Sequence, residues 1–266
     1  MRTTAITMVL AGALGAINAA PIEALIARDL IGALPASADS DEQRFQPLTD
    51  FDTDGCYYTS AIDSSGRTNP GLPVQSGTPV AGECREASRL QNNNVYSRKR
   101  CNNGWCAIMY EYYFERDVTG FEFAGSVTSG HRHDWENIVI FTQNNVVKRI
   151  APSCHGKYEQ AMNTPGPLVG GDRAKLVFNK DGPATHCWRF ANGDDDARQE
   201  NYTGRWFLGN LVGYNNWPSL DLRQKLFDAF HGGIAPKLWD FNDAFTNNLR
   251  SASNGQTGGF DPSRDG

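Results

Sequence analysis

Gly130-His131-Arg132-His133-Asp134-Trp135-Glu136 sets two imidazoles, a guanidinium and two carboxylates within seven residues, and holds two of the chain's five histidines. In an extended segment Asp134 and Glu136 point the same way, so their charges repel unless a cation or the Arg132 guanidinium lies between them. One imidazole beside carboxylates, with room for water, suits a hard divalent cation: Mg²⁺, Ca²⁺ or Mn²⁺. Zinc would prefer more nitrogen or sulfur. A regular strand, however, places His131, His133 and Trp135 on one face and Arg132, Asp134 and Glu136 on the other. For His131 to join the two acids, residues 130–133 must form a loop or bulge, which Ser129-Gly130 permits, with Glu136 starting the next strand. The competing arrangement packs His133 and Trp135 in the core and pairs Asp134 with Arg132. For His133 alone that packing is preferred; for the acid pair it is not.

The flanking segments must hold this cluster. Trp105 to Phe114 is aromatic and β-prone, as is Glu136 to Thr142, and Gln143-Asn144-Asn145 turns the latter into Val146 to Ile150 as a hairpin. A second hairpin joins Lys175–Phe178 to Cys187–Phe190 through Asn179 to Pro183. Leu222, Leu226, Phe227 and Phe230 recur at helical spacing, with Ser219 as cap and Gly232-Gly233 as stop; Phe241, Ala244, Phe245 and Leu249 repeat the pattern after Asp240 or Asn242. Strands followed by helices predict a mainly β domain with helices at its periphery.

Arg2, an apolar run from Ala5 to Ile17 and Asn18-Ala19-Ala20 read as a secretory signal over residues 1–20, the run being shorter than the roughly 20 residues that span a bilayer. Secretion into an oxidising compartment makes the six cysteines a disulfide framework. Asn103-Gly104 at a two-residue turn sets Cys101 opposite Cys106 at bonding distance. For the other four, sequential pairing, Cys56–Cys84 and Cys154–Cys187, is the simplest scheme. Residues 21–45 have the composition of an arm or pro-segment, 46–250 form one domain, and the tail from 251 to 266 is expected to be flexible. Residues 57–95 read as long loops stapled by Cys56 and Cys84. A net charge of −5 argues against nucleic acid as a partner. Asp50, Asp52, Asp54 and Gly55 begin like an EF-hand loop, but Ala61 stands where its Glu belongs, so a solvated acidic turn is preferred. Asn201-Tyr202-Thr203 is a glycosylation sequon that suggests an exposed loop.

The heptapeptide, preceded by Ala107 to Asp117, resembles the signature of the necrosis- and ethylene-inducing-like proteins, secreted cytolysins of plant-associated microbes. The resemblance runs from about Phe45 to Leu249 and includes Ser153-Cys154-His155-Gly156, Trp217 with its helix, and Ala235-Pro236. It implies an antiparallel β-sandwich with peripheral helices, similar to actinoporins and fungal lectins. It also implies a cation held by Asp117, His131, Asp134 and Glu136, of which Asp117 comes from the resemblance alone. His133, His155, Arg132 and Trp217 become candidates for support of the ion or contact with a sugar. The implied partner is the glycosylinositol phosphorylceramide of plant membranes, met peripherally by a monomer without enzymatic turnover. Two departures stand out. Phe114-Glu115-Arg116-Asp117 lacks the proline of the commonest members, and the linker from Val118 to Ser129 is longer, which bears on how Asp117 meets His131. Six cysteines place the chain in a cysteine-richer subgroup, where a non-toxic, lectin-like or immunogenic role is the alternative. A secreted metal-dependent hydrolase, with Glu136 or His133 as general base, is the other.

Overall fold

The computed structural model describes residues 30–77, 79–121, 126–164, 168–183 and 185–265; the expected signal segment lies outside them. A short helix, α1 (Ser40–Phe45), capped by Asp39, precedes strand β1 (Leu48–Phe51); a second, α2 (Ala87–Gln91), precedes β2 (Val95–Asn102). Two long strands follow, β3 (Trp105–Phe121) and β4 (Ser126–Gln143), then β5 (Val146–Pro152), β6 (Met162–Asn163), β7 (Leu168–Val169), β8 (Arg173–Lys180) and β9 (His186–Phe190). Helix α3 (Gly193–Ala197), strand β10 (Leu211–Gly213), α4 (Leu220–Ala229) and α5 (Ala244–Ser253) complete the chain.

The strands form two sheets, one of order β10-β2-β3-β4-β5-β6 and one of four strands in which β8 pairs with β1, β7 and β9. The expected sandwich is present, with one difference: β1 runs parallel to β8, and β10 parallel to β2. β3 shows why the sandwich closes. Ile108, Tyr110, Tyr112 and Phe114 face one apolar cluster while Ala107, Met109 and Tyr113 face another, so this central strand is buried on both sides at period two. Between the sheets Phe114 stacks on Phe178 at 3.9 Å. On the outer face Tyr113 and Trp135 meet Phe230 of the helical layer at 5.2 and 5.5 Å. Such aromatic pairs contribute about 1 kcal/mol each beyond area burial.

The turns follow the residues that permit them. Asn103 and Gly104 adopt φ of 50° and 77°, and Asn144 and Asn145 of 51° and 60°, as tight hairpin turns require. The Asn103-Gly104 turn sets Cys101 opposite Cys106, and all three disulfides have the pairing expected: Cys101–Cys106, Cys56–Cys84 and Cys154–Cys187. Ser219 caps α4 as expected, accepting from the Leu222 N–H at 3.1 Å.

Four expectations need correction. From Leu30 onward the supposed arm is packed: Ile31 and Leu34 are buried, and the Leu34 amide donates to Asn94 Oδ1 at 2.8 Å. The tail beyond 251 is docked, because Trp105 Nε1 donates to the Gly258 carbonyl at 3.0 Å and Phe260 meets Phe141 edge to face at 5.7 Å. Phe241 is not on the second helix's buried stripe; it is 63% exposed on a turn before α5. The segment from Val118 to Phe121 continues β3, and β4 begins at Ser126, so paired strands stand in place of the expected linker and of the expected strand start at Glu136.

Candidate functional site

The strand β4 resolves the alternation problem without becoming a loop. Phe114 pairs with Asp134 and Arg116 with Arg132, but the ladder skips Glu115 and His133, and His133 takes a left-handed φ of 62°. Pairing keeps its register on both sides of the irregularity while side-chain phase changes. Asp117 and His131, directly opposite across the strands, therefore reach the same side as Asp134. Ligand atoms of Asp117, His131 and Asp134 all lie within 4.8 Å of one another. Gly130 makes this approach possible: at φ 142°, an added Cβ would sit 2.3 Å from the Asp117 carbonyl oxygen.

Each member has a distinct environment. Asp117 is buried, and both of its oxygens are engaged by His186, which donates from its backbone N–H at 2.9 Å and through Nδ1 at 2.8 Å. His186 Nε2 also lies 3.4 Å from Asp54. Burial disfavours the imidazolium, yet the Asp117 and Asp54 carboxylates outweigh it and raise His186 to about 9. His131 is exposed, with Nδ1 2.8 Å from the His133 carbonyl. A carbonyl only accepts, so Nδ1 carries the hydrogen and Nε2 keeps its lone pair for a ligand. Asp134 Oδ2 is buried without a hydrogen-bond partner, and burial, with Asp117 adding to it, lifts the carboxyl to about 7.

Glu136 is not within that constellation. It lies two residues deeper along β4, buried, and receives the Ser153 hydroxyl hydrogen; burial and then Asp134 push its carboxyl well above the usual range. His133 turns to the helical side, 2.7 Å from the Tyr113 hydroxyl and edge-on to Phe230, and burial lowers its pKa. Arg132 is exposed and donates to the Pro70 carbonyl at 3.4 Å, so it does not pair with Asp134. His155 is exposed beside Asp181 at 3.1 Å. Cys154, His155, Asp181 and Cys187 also cluster, but the two sulfurs are bonded to each other.

Three sequence expectations fail here. Trp217 is a core residue, stacked on Tyr96 at 5.2 Å, and offers no surface for docking. Asn201 is buried: its Nδ2, the atom a glycan would occupy, donates to Asp50 Oδ1 at 2.7 Å and the Arg205 carbonyl at 2.8 Å. The Asp50–Asp54 run is not a solvated turn. Asp50 is buried under the Glu200 and Asn201 amides, Asp52 pairs with Arg189, and Asp54 faces His186. His186 was missed, and Ser153 entered only as part of the Ser153–Gly156 resemblance without a role; an isolated histidine and a serine far along the chain carry no local signal for their partners on β3 and β4.

Two carboxylates, one of them with a buried oxygen that lacks any donor, and an imidazole nitrogen make a donor set that fits a hard divalent cation. Residues 39–252 match the family profile described as necrosis inducing protein, NPP1. The chain belongs to the necrosis-inducing protein family. It is 31% identical over 140 residues to NLP effector protein 3 of Plasmopara viticola, covering 51% of this chain and 58% of that protein. It is 32% identical over 149 residues to NLP effector protein 3 of Phytophthora capsici, covering 54% and 58%. The match thus spans a little over half the length of these curated relatives. Among solved structures, the fold is similar to NLPPya in complex with mannosamine, with a TM-score of 0.66 and 25% identity over 84% of this chain and 96% of that one. It is also similar to the non-toxic HaNLP3 protein, with a TM-score of 0.67 at 24% identity, over 84% and 97%. The necrosis-inducing family and its mainly β toxin fold are therefore established for this chain, and its six cysteines are all paired.

Proposed function

We propose that the protein is a secreted, cation-dependent cytolysin that docks through its acidic cleft on the sugar head group of plant plasma-membrane sphingolipids and disrupts the bilayer. The observation that carries this reading is the convergence of Asp117, His131 and Asp134 within 4.8 Å, with Asp134 Oδ2 buried and unpartnered. When bound, a divalent cation such as Mg²⁺, Ca²⁺ or Mn²⁺ neutralises this charge and offers its remaining positions to sugar hydroxyls. His186 and Ser153 orient Asp117 and Glu136, and exposed His131 leaves the cleft open to a ligand. A related solved structure holds mannosamine, which supports a sugar as the chemistry recognised. No helix among the described residues is long and apolar enough to cross a membrane.

A hydrolytic role is less well supported. His133, one candidate base, faces the helical layer, and Glu136, the other, is buried against Ser153. The experiment is Asp134→Ala. Titration calorimetry with each cation is expected to show an affinity loss on the order of 100-fold, with circular dichroism unchanged and leakage of glycosylinositol phosphorylceramide vesicles abolished. Undiminished leakage would sink the reading. Binding without leakage by the unmodified protein would instead make it the lectin-like relative, and release of free phosphate or sugar would make it a hydrolase.

A further inference from the structure

β5 leaves the six-stranded sheet through Ser153 and Cys154, and β9 opens in the facing sheet with His186 and Cys187. Each half of the Cys154–Cys187 bridge thus sits directly after a residue that holds one acid of the cleft. Ser153 is a junction. Its hydroxyl donates to Glu136 and accepts from the Asn137 amide at 2.8 Å, its own amide donates to the Asn137 carbonyl at 2.8 Å, and its carbonyl accepts from the Trp188 amide at 3.2 Å. His186 in turn gives both its backbone N–H and its Nδ1 hydrogen to Asp117. The disulfide therefore ties together the two brackets of the site, and the two sheets, where the acids converge.

We propose that the Cys154–Cys187 disulfide is a positioning element of the cation site, which keeps His186 and Ser153 in place around Asp117 and Glu136, and that thiol reduction loosens the site. The inference rests on the cation-dependent reading of the cleft. Cutting the bridge leaves the start of β9 held at Ser153 by the Trp188 amide hydrogen bond and by the packing of Trp188 in the core, so the His186 donors would loosen from the Asp117 carboxylate. Reduction requires a dithiol reductant. Its thiolate attacks the sulfur of Cys154, the less buried of the two, and Cys187 departs as a thiolate and takes a proton. The reductant's second thiol then displaces Cys154 as a thiol, and the reductant is left as a disulfide.

The test compares Cys154→Ala/Cys187→Ala with Cys56→Ala/Cys84→Ala. These bridges span 33 and 28 residues, so their chain-entropy contributions to stability are nearly equal. Ca²⁺ and Mn²⁺ affinities, measured well below each melting temperature, should fall about 10-fold or more in the first variant and stay near the unmodified value in the second, at similar losses in melting temperature. Equal affinities, or equal losses in both variants, would overturn the proposal. Should the first variant fail to fold, stepwise dithiothreitol reduction of the unmodified protein, with thiols mapped by mass spectrometry, decides it. Affinity loss must then track the opening of Cys154–Cys187; loss that tracks another bridge overturns the proposal. If the unmodified, oxidised protein binds neither cation, it is the functional reading that fails.

Discussion

The long β3/β4 pair ends in opposite ways. At the Trp105 end, left-handed residues lie in turns: Asn103-Gly104 and Asn144-Asn145 reverse the chain, a disulfide closes one hairpin, and the C-terminal tail docks on the indole. At the Asp117 end the positive-φ residues, Gly130 and His133, lie in mid-strand, where they reverse no chain and His133 instead re-aims side chains. A positive φ in a turn completes a ladder; within a strand it breaks alternation, at a cost of about 1–3 kcal/mol that the surrounding packing must offset. The first end is built for stability. The second gathers buried carboxyls whose burial and closeness to one another push Asp134 and Glu136 upward, the mark of a site arranged for a ligand.

The sharpest way to break this contrast is Gly130→Ala. Its Cβ would meet the Asp117 carbonyl at 2.3 Å and Val118 Cα at 2.7 Å, so urea unfolding should show a loss of about 3 kcal/mol, together with weakened cation binding. Cys101→Ser/Cys106→Ser, which opens a bridge spanning only 5 residues, should cost about 2 kcal/mol and leave cation affinity unchanged. A change in affinity there would mean the two ends are coupled.

Glu111 sharpens the comparison midway along β3. Its oxygens accept from the Lys237 and Leu238 amides at 2.6 and 3.0 Å, and burial raises it to about 7 from 4.5. Its folded pKa lies above its unfolded one, so the native state holds the extra proton between those values. Stability contributed by this group is therefore full below 4.5, falls as pH rises towards 7 and is lost above it. Denaturation midpoints in chelator should show a slope of up to about 1.4 kcal/mol per pH unit from this residue, which Glu111→Gln removes. An identical slope in the variant would confine the buried-charge cost to the cleft. The smallest effect is expected for Gly104→Ala, where φ is 77° but the Cβ meets open space: a loss of about 1 kcal/mol.

Much of the site's composition was legible because its signals are local. The crowding of His131, Asp134 and Glu136 is visible in seven residues, and strand alternation alone required a backbone irregularity before Asp134, which His133 provides. Glu136 was read as an equal partner because Asp134 and Glu136 share a face; depth along the strand, which separates them, is not written in the side-chain pattern. Trp217 and Asn201 were misread for one reason. An indole and an amide look the same in sequence whether they face water or a ring such as Tyr96 and a carboxylate such as Asp50.

By itself the sequence determined the features that depend on neighbouring residues: the Asn-Gly and Asn-Asn turns, the period-two strands, the capped helix at Ser219 and the acidic heptapeptide. Only the tertiary structure decided which distant groups complete them. The hydrogen bonds from His186 to Asp117 cross 69 positions, and that from Ser153 to Glu136 crosses 17. Backbone preferences act over a few residues, whereas the burial that pairs two sheets and orients a carboxylate depends on which strands meet across the core.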